Sequence, residues 1–244
     1  MIELVVFDLA GTTVYDGDAV NTSFRATLAV WGLEADPAAV NTVMGLPKPE
    51  AIRILLEQFG PLRGVKPTLE NVNAIHQHFT DRMRRFYAED PAVCEIQGAT
   101  AAFAALRAAG IKVALNTGFF RPIASVLLTR LGWDSPGVID AVVTSDEVVR
   151  GRPHPDMIRH LMRRLGISDV LTVAKVGDTR ADLEEGTNAG CGLVIGVTTG
   201  SYSREQLQMC PHSHIVDSVA DVASLVLSEQ AMSLMYRRQT SQTK

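Results

Sequence analysis

Cysteine is scarce and unpatterned in this chain of 244 residues: Cys94, Cys191 and Cys210 are odd in number and share no spacing. That excludes a disulfide framework and points to reduced thiols in the cytoplasm. There is no Cys/His ligand spacing, no Gly-rich nucleotide loop of the Walker type and no Ser-His-Asp set. No apolar run approaches the ~20 residues of a membrane span. The chain enters a strand directly, which argues against a signal peptide. Positive charge is not in excess either. The formal net charge of −4 gives no basic face for nucleic acid. No internal repeat is visible. These absences point to a cytoplasmic protein and give no sign of nucleic-acid or membrane binding.

What is present is ordinary for a globular protein, with 46% apolar and 20% charged residues. The length suits one large α/β domain, or a core with a smaller insert. The stretch that organises the rest is Leu4 to Phe7, a buried strand by its apolar run, ending in Asp8-Leu9-Ala10-Gly11-Thr12-Thr13. An Asp at that point stands at the carboxyl edge of a sheet, where open α/β folds bind ligands.

A helical block follows. Val20, Phe24, Leu28 and Trp31 share one helix face. Met44-Gly45-Leu46-Pro47-Lys48-Pro49 turns into a helix with Ile52, Leu55, Leu56 and Phe59 inward. Val72, Ile75, Phe79, Met83 and Phe86 mark a longer one. Strands then alternate with helices: strands at Ile111–Leu115, Ala141–Val143, Leu171–Val176 and Gly192–Val197, helices at Ala99–Ala109, Phe120–Leu131, His154–Leu165 and Arg180–Ala189. Alternation of this kind means right-handed crossovers and a parallel sheet covered on both faces. The expected architecture is a doubly wound, Rossmann-like α/β core of residues 1–15 and 95–230, with an all-helical cap of residues 16–94 inserted after the first strand. A tail of residues 231–244 follows, unstructured from Arg237. Two independent domains would leave Leu4–Phe7 an orphan strand.

Four strand ends carry polar residues: Asp8; Thr117-Gly118; Gly151-Arg152-Pro153; and Gly177-Asp178-Thr179-Arg180-Ala181-Asp182. Asp178 caps the next helix and Asp182 lies one turn on, so both carboxylates can face one cleft. Three converging carboxylates repel unless a cation lies between them. With no histidine or thiolate in these motifs, a hard, oxygen-liganded ion such as Mg²⁺ is favoured. A hydroxyl, a backbone N–H and a guanidinium beside it suit a phosphoryl dianion. Taken singly, each has a bland reading. Asp178 can be only a helix cap, Thr117 a loop hydroxyl, Arg152 a solvated surface residue. Their joint occurrence at successive strand ends is what carries the functional reading.

As a set, these motifs resemble the haloacid dehalogenase superfamily, and the run Leu183 to Gly190 does so too. The helical insert resembles that superfamily's type-1 cap. The resemblance implies an aspartyl nucleophile at Asp8, a Mg²⁺ ion held by Asp8, the Ala10 carbonyl and Asp178, and Asp182 in support. Thr117, Gly118, Arg152 and Ala10 would surround the phosphoryl group. Phosphatases of the superfamily carry a second Asp two residues after the nucleophile, where this chain has Ala10. Their phosphate-binding lysine is replaced by Arg152. Both changes are similar to the phosphonatase branch, whose cap lysine forms a Schiff base with phosphonoacetaldehyde. Met44-Gly45-Leu46-Pro47-Lys48 looks like that segment, with Lys48 as the amine and Met44 in support. The chemistry fits the missing acid, because an iminium on Lys48 can accept the electrons of a breaking C–P bond. Such an amine must be neutral, hence buried or beside another cation. An ordinary exposed turn lysine is the alternative. The Asp-His pair that follows the lysine in that branch is Glu50-Ala51 here, and His76 and His78 read as structural or exposed. A phosphomonoesterase without imine chemistry and a receiver-type phospho-acceptor are the competing readings. The resemblance also implies a homodimer through the cap, with the Val20/Phe24/Leu28/Trp31 stripe serving as dimer face or cap core. The segment Gly200 to His214 reads as a loop and helix near the rim of the cleft.

Overall fold

The computed structural model describes residues 1–15 and 17–242, with side chains through Met232. Strand β1 (Leu4–Phe7) has no polar residue and is buried throughout. After the short β2 (Val14–Tyr15) come four helices, α1 (Ala19–Val30), α2 (Pro37–Asn41), α3 (Lys48–Phe59) and α4 (Leu69–Glu89), and then β3 (Cys94–Glu95). The remainder alternates: α5 (Ala99–Ala108), β4 (Lys112–Thr117), α6 (Arg121–Leu131), β5 (Ala141–Thr144), α7 (Asp156–Leu165), β6 (Val173–Gly177), α8 (Arg180–Ala189), β7 (Leu193–Val197), α9 (Arg204–Gln208), β8 (His214–Val216) and α10 (Ala220–Gln242).

Six strands form one parallel sheet in the order β5-β4-β1-β6-β7-β8. β1 lies between β4 and β6, with Phe7 opposite Leu115 on one side and Val176 on the other. It is a central strand of the sheet, not an orphan. The chain winds outward from β1 through β4 and β5 on one side, and through β6, β7 and β8 on the other. The crevice at that reversal opens at the carboxyl end of β1, directly over Asp8.

The helical block leaves the core through β2 and returns through β3. These two pair antiparallel, Val14 with Glu95 and Tyr15 with Cys94, and form a ribbon at its root. Inside the block Phe24 of α1 stacks on Phe79 of α4, ring centroids 4.4 Å apart. Val20, Phe24 and Leu28 are buried, so this stripe packs within the protein, while Trp31 ends α1 half-buried.

Several boundaries differ from the sequence expectation. β4 runs on to Thr117 because Asn116 and Thr117 keep the ladder to Val143 and Thr144 of β5. β6 starts later because Val170–Thr172 is a 3₁₀ turn whose first N–H groups are met by Asp169. β8 and α10 were not expected. α10 packs on α5, with Val222 and Val226 buried in its first turns and Val219 buried just before it, and its backbone continues to Gln242, through most of the tail read as unstructured. Residues 243 and 244 lie outside the described residues. Cys94, Cys191 and Cys210 are all free thiols. Among the described residues no helix is long and apolar enough to cross a membrane.

Candidate active site

Asp8 follows β1, and its N–H donates to Val176 O of β6 at 3.0 Å, which fixes it at the sheet's edge. Its carboxylate Oδ1 accepts from Arg152 Nη1 at 2.6 Å. Arg152, wholly buried, spreads its guanidinium over four partners. Nε donates to Glu185 Oε2 (3.1 Å), Nη2 to Asn116 O (2.8 Å) and Asn116 Oδ1 (2.5 Å), and Nη1 also lies 2.9 Å from Asp182 Oδ1. Every nitrogen of the guanidinium is therefore engaged.

Asp178 does not cap α8. Thr179 does, accepting from Asp182 N–H while the Asp182 carboxylate accepts from Thr179 N–H in return. A hydroxyl can fill that position, which leaves Asp178 to accept from Thr12 Oγ1 and Ser201 N–H, both at 2.8 Å. Asp178 thereby joins the loops after β1 and β7, and Gly200 and Ser201 form part of the cavity wall. The Gly200 to His214 segment thus contributes to the site itself, with α9 further along it.

Asp8, Asp178 and Asp182 bring carboxylate oxygens within 4.8 Å of one another, all three buried. Their electrostatics differ. Burial lifts Asp8 above the usual carboxylate range, against the pull of Arg152. Burial, then the charges of Asp8 and Asp182, push Asp178 up to about 8. Burial acts to raise Asp182 too, but Arg152, Lys175 and a hydrogen bond from Thr179 together outweigh it and hold it low. The uncompensated repulsion lies between Asp8 and Asp178. Counting Glu185, four buried carboxylates face two buried cations, Arg152 and Lys175, leaving two formal negative charges. Oxygen donors alone and a deficit of that size fit one hard divalent cation between Asp8 and Asp178. Asp182, tied to Arg152 and Lys175, supports from behind.

The cavity over Asp8 is about 120 Å³, far below the ~300 Å³ and upward of drug-sized sites. Asp8, Ala10, Met44, Lys48, Thr117, Gly118 and Arg152 all line it. Asp178 and Asp182 stand behind its wall. Lys48 opens α3 and is only 3% exposed, so it is not a surface turn lysine. Its Nζ donates to Leu46 O at 3.5 Å and lies 4.9 Å from the Phe119 ring centroid and 5.6 Å from that of Phe24. Thr117 Oγ1 accepts from Phe119 N–H at 3.1 Å, so its own O–H is what it offers the cavity. Asn21 of α1, also in the wall, donates to Pro37 O and Asn41 Oδ1, while its Oδ1 has no partner among the described residues.

The helical block meets the core by close backbone contact. A Cβ on Gly118 would stand 2.5 Å from Leu46 O and 2.8 Å from Gly45 O. Gly45 itself has φ +79° and abuts Thr179. Gly118→Ala must lift the loop that carries Lys48. A displacement on the order of 1 Å costs about a hundredfold in kcat/KM, and we expect that loss with little change in melting temperature. Steady-state kinetics beside thermal denaturation checks it.

Sequence reasoning missed Asn116, Lys175, Glu185 and Asn21. A lysine inside the apolar run of β6 was a usable signal, because unpaired buried charge is costly. Glu185 lies three residues after Asp182, hence on the same face of α8. His76 is half-buried, edge-on to Phe120 with centroids 4.4 Å apart. Burial, then the charge of Lys48, pushes it down to about 4, so it is neutral at pH 7. His78, at the cap surface, is exposed.

A parallel α/β core with a buried Asp at the end of its first strand and further polar groups at the ends of later strands is a ligand-binding α/β architecture. The model of the haloacid dehalogenase-like hydrolases matches residues 2–190, and the chain belongs to that family. Among its relatives, a protein named phosphonoacetaldehyde hydrolase from Syntrophobacter fumaroxidans is 32% identical over 241 residues, covering 94% of this chain and 86% of that protein. One of the same name from Bacteroides fragilis is 30% identical over 253 residues, covering 94% and 90%. In three dimensions, a phosphonoacetaldehyde hydrolase-like protein from Oleispira antarctica superposes with a TM-score of 0.79 at 26% identity, covering 93% of this chain and 92% of the other. A hydrolase from Pseudomonas syringae shares the fold at TM-score 0.81 and 17% identity, covering 93% and 98%.

Proposed function

We propose that this enzyme cleaves the C–P bond of phosphonoacetaldehyde, giving acetaldehyde and phosphate. The observation that carries the reading is the buried Lys48 in the same small cavity as Asp8, where Ala10 occupies the position of a general acid. The names of its relatives point the same way.

Lys48 Nζ attacks the aldehyde carbon, and Asn21 Oδ1 gives the resulting hydroxyl an acceptor. Loss of water leaves a protonated imine. Asp8 then attacks phosphorus in line, with the Thr117 hydroxyl and Gly118 N–H facing the phosphoryl oxygens. The C–P electron pair flows into the iminium and forms an enamine, so the leaving carbon needs no acid at position 10. Protonation of the enamine and hydrolysis free acetaldehyde from Lys48, and water cleaves the aspartyl phosphate. Asp8, the Ala10 carbonyl and Asp178 are the residues that would hold Mg²⁺, which when bound supplies positive charge to the phosphoryl oxygens. Cap closure brings Lys48 to the core and excludes water.

Glu50 pairs with Arg53 at the surface, and Ala51 is buried without a polar group, so neither stands in for the Asp-His pair. That favours a second reading on the same nucleophile: hydrolysis of another small phosphonate or phosphate ester without an imine. Phosphate release from phosphonoacetaldehyde beside a panel of phosphate monoesters decides between them. Phosphonoacetaldehyde is expected to be turned over fastest. Preference for activated monoesters, with phosphonoacetaldehyde inert, would replace the first reading by the second.

A further inference from the structure

The cavity over Asp8 is lined by two kinds of group. Asp8, Thr117, Gly118 and Arg152 come from the strand ends and suit a phosphoryl group. Val20 and Asn21 of α1, with Met44 and Lys48, come from the helical block. Within that second set the amide of Asn21 is fixed in one orientation. Its Nδ2 donates to Pro37 O at 3.0 Å and to Asn41 Oδ1 at 2.6 Å. Pro37 O is a backbone carbonyl and only accepts, so it must face the nitrogen of the amide and not its oxygen. Neither Pro37 nor Asn41 lines the cavity. Oδ1 is therefore the amide atom turned to the cavity side, and it has no donor among the described residues. Asn21 is 1% exposed, and a buried acceptor left without a donor is costly.

A ligand can bring the donor that this oxygen lacks. Lys48 and Arg152 already set two cations around the cavity, which disfavours an ammonium and leaves a neutral hydroxyl as the group that fits. We propose that Asn21 is a specificity-determining residue: its Oδ1 accepts from a hydroxyl at the carbon end of the substrate, so the site takes small phosphonates or phosphate esters that carry a hydroxyl, or a hydrated aldehyde, at that end. An alkyl tail of the same size is rejected, because it leaves the acceptor unpaired. The mechanism above calls on this oxygen only after Lys48 has added to the aldehyde, whereas the selection acts on binding, before any covalent step. Because α2 holds Nδ2 on the far side, the acceptor is in place before the ligand arrives. The inference rests on the phosphoryl group sitting over Asp8, as proposed above, and does not need the imine.

The experiment compares hydroxyethylphosphonate with propylphosphonate, in which a methyl replaces the hydroxyl, and with aminoethylphosphonate. Dissociation constants are read by calorimetry in Mg²⁺, with inorganic phosphate as competitor. In the wild type we expect the hydroxyl compound to bind about tenfold tighter than propylphosphonate, the scale of one buried hydrogen bond, and the amine no tighter than propylphosphonate. Asn21→Leu keeps the bulk without the acceptor, and there the preference should shrink to about twofold or less. Asn21→Asp loses the same bonds to Pro37 and Asn41 yet keeps an oxygen on the cavity side, so the preference should survive; this separates the acceptor from the packing of α1 on α2. Asn21→Ala replaces Asn21→Leu if that variant does not fold. Equal binding of the hydroxyl and methyl compounds by the wild type, or an undiminished preference in Asn21→Leu, would overturn the proposal, as would tighter binding of the amine than of the alcohol. Inert phosphonoacetaldehyde with the hydroxyl preference intact counts against the proposed reaction alone. Turnover of phosphonoacetaldehyde with all three probes bound alike counts against the role of Asn21 alone.

Discussion

Lys48→Ala is expected to lower C–P cleavage of phosphonoacetaldehyde by about a thousandfold or more, since without the imine the leaving carbon would depart as an unstabilised carbanion. Lys48→Arg should be as inactive, although it keeps a cation between Phe24 and Phe119, because a guanidinium stays protonated and cannot condense. Activated phosphate monoesters need no electron sink and should lose far less in both variants. The intermediate itself can be trapped. Borohydride added during turnover should reduce the iminium to a stable ethylamine or phosphonoethylamine, located by peptide mass spectrometry on Lys48 and absent from the other lysines. Retained C–P cleavage in Lys48→Ala removes the imine from the mechanism. The residue is buried at the first turn of α3 and lines the same cavity as Asp8.

The parts of this site that were legible in the sequence are those set by local signals. Leu4–Phe7 ending in Asp8 is a strand by composition, and the sheet places it in the centre. Thr117 ends a later strand, Arg152 and Asp178 follow others, and all three lie near Asp8 because parallel strands end at one edge. The parts not legible depend on contacts across the chain. Nothing near Asp178 announces that Thr179 takes the capping role, since both residue types cap well; Thr12 and Ser201, distant in sequence, release Asp178 for the site. Asn116 reads as the polar end of a strand until Glu185, 69 residues on, is seen against it. α10 runs across the expected border between core and tail at residue 230, and over Ala220–Gln242 it shows little of the amphipathic pattern that marks a surface helix, so no helix was expected there. Lys48 became readable through its resemblance to a motif, whereas its burial is the work of Phe24 and Phe119 from two different layers.

Asp8→Asn should abolish turnover by about four orders of magnitude or more, as loss of a nucleophile does, and at the same time stabilise the metal-free protein at high pH. The amide keeps an acceptor for Arg152 Nη1 but removes one of the two charges that, after burial itself, push Asp178 up to about 8. With the folded pKa of Asp178 above its ordinary value of 3.8, the native wild type holds a proton that the unfolded chain has already lost. Stability of the metal-free protein must therefore fall as pH rises through the window from about 4 to 8. Each tenfold difference in proton affinity between the folded and the unfolded chain is worth about 1.4 kcal/mol, so the fall is large enough to read as a melting temperature. In EDTA the wild type should melt lower at pH 8.5 than at pH 5, and Asp8→Asn should flatten that slope. Mg²⁺ should reverse it in the wild type, raising the melting temperature more at pH 8.5, where both carboxylates are free to bind, than at pH 5. It should do much less for Asp8→Asn, which offers one ionised ligand in place of two. A wild type whose melting temperature in EDTA stays level from pH 5 to 8.5 would mean that Arg152 and Lys175 already neutralise the cluster. The electrostatic case for a cation between Asp8 and Asp178 would then fail, whatever the fate of the nucleophile.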